Sequence, residues 1–199
     1  MSPRGIAIPE VKEQLFQAAE RVLSRDGADG LTSRAITREA GVAKGLLYNH
    51  FTDLDEFLAA LIIDRAHRAA QDAARLPSLA GTGTVTGNLT DAAMSALRSD
   101  AFAIAGLVLS RPSLMGRIQE VAAGGAPSAL DDIERAFAAY LDAEQDLGRI
   151  AADADTQTLA LMLIGTVHHL FLTNRTGAPD LPGRVQRIVD TLVADARPG

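Results

Sequence analysis

Glycine and proline cut this chain into segments of helix length, and between the cuts apolar residues recur at helical spacing with no strand-like alternation of any extent. That pattern predicts an all-α fold. The first segment, about 10–26, carries Val11, Leu15, Ala18 and Val22 on one face, and Gly27 is its stop signal. Thr32 offers an N-cap oxygen to a short helix that turns Ile36 and Ala40 inward, and Gly41 ends that helix about two turns later. A third short helix follows over about 43–50. Asp53 and Glu56 have the spacing of a capping box and open a longer connecting helix toward Leu76. The run "PSLAGTGTVTGN" from Pro77 to Asn88 reads as a Gly/Thr-rich loop, the best candidate in the chain for mobility. Further helices are expected at about 89–110, 113–123, 127–147, 155–175 and 183–196, with breaks at Pro112, Gly124, Gly125, Gly148 and between Gly177 and Pro179.

At 199 residues and 47% hydrophobic, such a chain can bury a substantial core. It has no cysteine, which removes disulfides, thiolate metal sites and thiol nucleophiles from consideration. The N-terminus lacks an apolar signal core, and the most apolar later stretch, Leu159 to Leu172, is short and carries His168 and His169. A cytoplasmic protein without membrane contact is the expectation. The net charge of −6 argues against a general basic field for coating nucleic acid. The acid is unevenly spread, however. Residues 1–68 hold nine Lys/Arg against ten Asp/Glu, whereas residues 69–199 hold ten against fifteen, which leaves room for a local basic face near the N-terminus.

Two short helices joined through Gly41, with another helix behind them, make a helix-turn-helix pattern. In that motif the second short helix enters the DNA major groove by its N-terminal end. On a helix, "AKGLLYNHF" divides in a way that suits this task. Val42, Leu47 and Phe51 face the first helix, while Lys44, Gly45, Leu46, Tyr48, Asn49 and His50 are left for the groove or the flanking backbone. Lysine, tyrosine and histidine reach phosphates, asparagine reads a base edge, a leucine meets a thymine methyl, and Gly45 permits close approach.

The stretch Leu31 to Leu61, "LTSRAITREAGVAKGLLYNHFTDLDEFLAAL", resembles the DNA-binding domain of the tetracycline-repressor (TetR) family of transcriptional regulators. The Ala-Gly-Val turn, the Lys-Gly pair, Leu-Tyr and the Asn-His-Phe ending keep that family's order and spacing. The resemblance covers about residues 8–68, and "LGRIAADADTQTLALMLIGTVHHLFL" is similar to the family's dimer-forming end. It implies a helix-turn-helix domain at 1–52 and a larger helical effector-binding and dimerisation domain at 53–199. The implied function is a homodimeric repressor, released from a palindromic DNA operator by a small molecule. By position it assigns Thr32, Ser33 and Arg34 to DNA contacts from the first reading helix, and Lys44, Gly45, Leu46, Tyr48, Asn49 and His50 to the recognition helix. Three positions depart from the family pattern. Ala43 stands where a serine N-cap is usual, Thr37 where a buried alanine is common, and Leu54 where a lysine commonly contacts phosphate. The last shifts the expected affinity toward Arg34, Arg38 and an N-terminal arm carrying Arg4.

Elsewhere the expectations are coarser. Phe102, Met115, Phe137, Tyr140 and Met162, with Phe171, are candidates to line an apolar effector pocket, and Tyr140 and His168 are its candidate polar handles. Val185, Ile188, Val189 and Leu192, with Val193, form one apolar stripe, and Leu163, Val167 and Leu170, with Leu159, form another. Paired across a two-fold axis these would make a four-helix interface. His168 and His169 are adjacent and point about 100° apart on a helix, a poor metal site, so neither metal nor cofactor is expected. Asp131, Asp132 and Glu134 suit the first turn of a helix, and Ser110, Ser113 and Ser128 lack a base-flanked context, so no enzyme is indicated. The competing class is an all-α small-molecule-binding or enzymatic protein with a degenerate helix-turn-helix, favoured by Leu54 and the acidic net charge.

Overall fold

The computed structural model of the protein describes residues 8–98, 107–108, 111–123, 128–173 and 180–196. In chain order its elements are α1 (Ile8–Gly30), α2 (Ser33–Glu39), α3 (Gly45–Tyr48), α4 (Leu54–Ala73), a 3-10 turn (Leu76–Leu79), α5 (Val85–Arg98), α6 (Pro112–Ala123), α7 (Ala129–Asp146), α8 (Thr156–Thr173) and α9 (Leu181–Asp195). No strand occurs among the described residues, as the apolar spacing predicts. Gly27, at φ 71°, interrupts α1 where a stop is expected.

These helices form two compact units, Met1–Ile62 with Ala103–Ala123, and Ile63–Phe102 with Gly124–Gly199. The units do not divide at residue 52. Helix α4 begins in the first and continues into the second, and a later segment returns to the first. Packing gives the reason. Leu107 and Leu114 are fully buried among the apolar side chains of α1, α2, α3 and α4, so the head's core includes residues far along the chain. That core centres on Leu15, Phe16 and Val22 of α1, Ile36 of α2, Leu47 of α3, and Phe57, Leu58 and Leu61 of α4. Phe16 and Phe57 have ring centroids 5.4 Å apart, and Phe51 meets Phe57 edge-on at 5.1 Å. Burying each such ring stabilises the head by roughly 1.5–3 kcal/mol, and each pair adds about 0.5–1.5 kcal/mol.

In the second unit, α7 packs on α8 and on the 3-10 turn, and α9 packs on α5. The Gly/Thr-rich stretch is pinned where a mobile loop was expected. The Asn88 amide donates to Thr82 O at 2.9 Å and to the Tyr140 hydroxyl at 2.9 Å. Gly81 N–H donates to the buried Glu144 carboxylate at 3.3 Å, and Arg149 donates to Gly83 O at 2.8 Å. Gly81 and Gly83 both take positive φ, 78° and 53°, so their abundance here serves a tight turn. Helix α5 accordingly starts at Val85, earlier than expected. Pro112 opens α6, a position where its missing N–H would have had no helical partner.

Candidate nucleic-acid interface

Thr32 caps α2 as expected, its hydroxyl oxygen accepting from Ala35 N–H at 3.1 Å. At the other end Gly41 sits at φ 68°. Gly41 N–H donates to Arg38 O at 3.2 Å and Val42 N–H to Thr37 O at 3.0 Å, a Schellman turn that needs a left-handed residue at this point. Gln14 of α1 donates to Ala40 O at 2.8 Å and ties the turn to the supporting helix. The angle between α2 and α3 is therefore set by backbone bonds.

Helix α3 is shorter than the expected 43–50, and its N-cap position is taken by Lys44, which makes no side-chain cap bond. Turns extend it at both ends, with Leu46 N–H donating to Ala43 O at 2.9 Å and Phe51 N–H to Leu47 O at 3.0 Å. Leu47 and Phe51 are buried and Val42 is half-buried against the head's core, the faces expected of them. Lys44, Gly45, Tyr48 and Asn49 are exposed, as are Thr32, Arg34 and Arg38, while Ser33 and His50 are half-buried. Leu46 differs from expectation. It packs in part against the head's core, so only a portion of it is left to meet a base. Tyr48 and Ser33 are joined directly, the phenol donating to the serine hydroxyl at 3.0 Å.

The two other departures also have structural accounts. Thr37 is buried, and its hydroxyl donates to Ser33 O at 2.9 Å, which satisfies a group that burial would otherwise penalise. Leu54 is half-buried and packs against the head's core, a contact that a charged lysine at this position would not make as well. Arg4 lies outside the described residues.

The acidic start of α4 is neutralised from within the same unit. Asp53 accepts from Glu56 N–H at 2.7 Å, and Glu56 accepts from Thr52 N–H at 2.6 Å. These bonds carry out the expected capping, with the return bond displaced by one residue from the usual box. Arg117 of α6 reaches Asp53 at 3.1 Å, Ser113 donates to Asp55 at 2.7 Å, and Arg111 donates to Leu31 O at 3.1 Å. The Glu56 N–H bond, with help from Arg117, holds the Asp53 carboxyl below the usual carboxylate range. Bonds from Thr52 do the same for Glu56. Ser113, dismissed as a nucleophile, is thus a bracing residue, a role that sequence alone could not indicate because its partner lies 58 residues away.

The effector candidates do not gather round a cavity. Phe137 and Tyr140 are buried in the second unit's core, and Tyr140, with its hydroxyl engaged by Asn88, has its phenol pushed up by burial and by the neighbouring Glu144 carboxylate. Met162 is 51% exposed and Met115, which belongs to the first unit, 46%. His168 is half-buried, and Phe102 lies outside the described residues. The second unit instead has an open cleft of about 690 Å³ lined by His67, Ala70, Gln71, Ala74, Pro77, Asp132, Arg135 and Ala136. Small side chains facing one another make that space, which a search for aromatics passes over. The two expected dimer stripes lie against the core of the second unit. Leu163, Val167, Leu170, Val185 and Val189 are buried within the protomer, and Ile188 and Leu192 are partly buried against the same core. On the outward face of α8, Leu161 is 55% exposed and Met162 51%.

No helix among the described residues is long and apolar enough to cross a membrane, and no three His, Asp or Glu among them group to hold a metal.

The described residues comprise a helix-turn-helix head with a polar outer face and a second, larger helical unit. Residues 15–61 match the family model of bacterial regulatory proteins of the tetR family. An uncharacterised helix-turn-helix transcriptional regulator of Haemophilus influenzae is 37% identical over 49 residues, a match spanning 25% of this chain and 26% of that protein. Solved structures share the fold over nearly the whole chain. One from Mesorhizobium loti, described as a TetR-family transcriptional regulator, has a TM-score of 0.71 at 16% identity over 96% of both chains. The transcriptional regulator FadR of Bacillus subtilis, in complex with stearoyl-CoA, has a TM-score of 0.65 at 19% identity over 92% of this chain and 97% of its own. Over residues 15–61 the chain is thus similar in sequence to the tetR family of bacterial regulatory proteins, and its fold is that of solved structures described in the same terms.

Proposed function

We propose that the protein is a homodimeric transcriptional repressor that binds a pseudo-palindromic operator through α2 and α3 and is released by a small-molecule effector. The observation that carries the proposal is the sorting of side chains on the head. Leu47 and Phe51 are buried, while Lys44, Gly45, Tyr48 and Asn49, with Thr32 and Arg34, stand outward. Such a face offers cations and hydroxyls to phosphates and an amide to a base edge. Two heads related by a two-fold axis would place their α3 helices in successive major grooves, about 34–36 Å apart. A second protomer is expected to cover the apolar face of α8 at Leu161 and Met162.

The cleft beside α7 is the proposed effector site. The stearoyl-CoA complex of the Bacillus subtilis regulator, which shares the fold, supports a ligand-binding role for the protein. A compound that binds the DNA-incompetent state more tightly would shift the population away from the operator, whereas equal affinity for both states would shift nothing. The test is selection from random duplexes at moderate salt, followed by sequencing of what the protein retains. A palindrome with half-sites one turn apart is the expected result; no enriched motif would overturn the proposal.

A further inference from the structure

We infer that Ser33 is a positioning residue for Tyr48, and that the two hydroxyls act as one unit that gives a single hydrogen bond to a DNA phosphate. This inference rests on the DNA-binding reading of the same face. Ser33 lies in the first turn of α2 and Tyr48 at the end of α3, on opposite sides of the turn at Gly41. Their oxygens are 3.0 Å apart with the phenol donating.

Tyr48 is 47% exposed and stands on a helix of 4 residues with no side-chain cap. A helix that short has almost no rigidity of its own, so the side chain needs an outside anchor to hold one rotamer. Ser33 is itself anchored, because the Thr37 hydroxyl donates to its carbonyl at 2.9 Å. Each hydroxyl has one hydrogen and accepts through its lone pairs. When Tyr48 spends its hydrogen on Ser33, the hydrogen of Ser33 is left for an acceptor outside. Rotation of both hydroxyls exchanges the roles, with the same count. A phosphate oxygen, which can only accept, suits such a pair. A backbone contact also fits its place, because the first helix of the motif crosses the DNA backbone while the second reads bases.

The pair is set before DNA arrives, so the rotamer ordering that binding would otherwise require is already met. Loss of either hydroxyl should therefore cost about two- to tenfold in affinity per head, and loss of both should cost little more than loss of one. Neither group is charged, so the dependence of affinity on salt should keep its slope.

The experiment uses the full chain and the duplex recovered from the random pool, with Ser33→Ala, Tyr48→Phe, the double variant and Ser33→Thr, each titrated at several salt concentrations. The expected pattern is a similar loss for both single variants, a double variant within about twofold of either, parallel salt slopes and recovery by threonine. Losses that multiply in the double variant, tighter binding by Ser33→Ala, or a loss confined to one base pair of the site would each overturn the inference. Wild-type protein that enriches no duplex would defeat the DNA-binding reading itself, whereas wild-type binding with multiplicative losses would defeat the pairing of Ser33 and Tyr48 alone.

Discussion

Replacing Gly45 by alanine separates what α3 needs for folding from what it needs for DNA. Gly45 is exposed at the first residue of α3, and a methyl group added there would meet nothing within 4 Å. It takes no positive φ, so the substitution is free of backbone strain. Alanine in a helix is favoured over glycine by about 0.5–1 kcal/mol; at a helix end the lower part of that range is appropriate. For a chain of this length 1 kcal/mol corresponds to about 2–4 °C in Tm, so Gly45→Ala should melt about 1–3 °C above the wild type. On DNA the sign should reverse. If the start of α3 lies against base edges, the added methyl must push the helix outward at both half-sites. A tenfold loss per head, about 1.4 kcal/mol, becomes about a hundredfold loss for a dimer. Thermal melts of the free protein and fluorescence anisotropy with the selected duplex give the two numbers. Unchanged melting with binding within about twofold of wild type would refute the close approach of Gly45 to DNA. A lower Tm would refute the free space assigned to its side chain.

Gly41→Ala acts in the opposite sense. At φ 68° with no neighbour in reach of a new methyl, the cost is purely conformational, about 1–2 kcal/mol, and should appear as faster hydrogen exchange of head amides, with Gly41→Asn intermediate. Asp53 and Glu56 have depressed carboxyl pKa values in the folded head, so their contribution is complete above the unfolded carboxylate range near about 4 and is lost as pH falls through the folded values. After division by the intrinsic, base-catalysed exchange rate, head amides should progressively lose protection as pH falls below about 5; Asp53→Asn, which keeps a capping oxygen, should flatten part of that slope, and an unaltered slope would remove Asp53 from it. Leu161→Glu, at a side chain 55% exposed, should leave the fold intact and give monomers in sedimentation experiments, whereas a persistent dimer would place the interface elsewhere.

How much could be read in advance depended on the range of the interactions. Helix class, the stop at Gly27, the caps at Thr32 and Asp53 and the inward set Val42, Leu47 and Phe51 are local properties, set by spacing of a few residues, and all are present in the structure. The outward residues of the head follow as the complement of that inward set, with Leu46 the exception because a helix turn leaves its flank against the core. The packing of Leu107 and Leu114 into the head depends on contacts distant in sequence, for which periodicity holds no signal. Helix α8 shows a different difficulty. In the run from Leu159 to Ile164 every residue is apolar, so several stripes have helical spacing and only packing decides that Leu163 turns inward while Leu161 and Met162 do not. The cleft went unseen because its floor is made by Ala70, Ala74 and Ala136, residues that create room by what they lack.

The entry of Leu107 and Leu114 into the head's core has a consequence for synthesis on the ribosome. The first 62 residues leave the exit tunnel with an apolar hollow that only residues from some fifty positions later can fill. At about 5–20 residues per second, that hollow stays open for a few seconds in every newborn chain. During that interval the nascent head exposes apolar surface, and the outward face of α2 and α3 gains its full support only once Leu107 and Leu114 have been made. For the same reason an exchange of heads between relatives cannot be a single cut and splice near residue 62; the inserted segment at 103–123 has to travel with it, or be matched anew to its host.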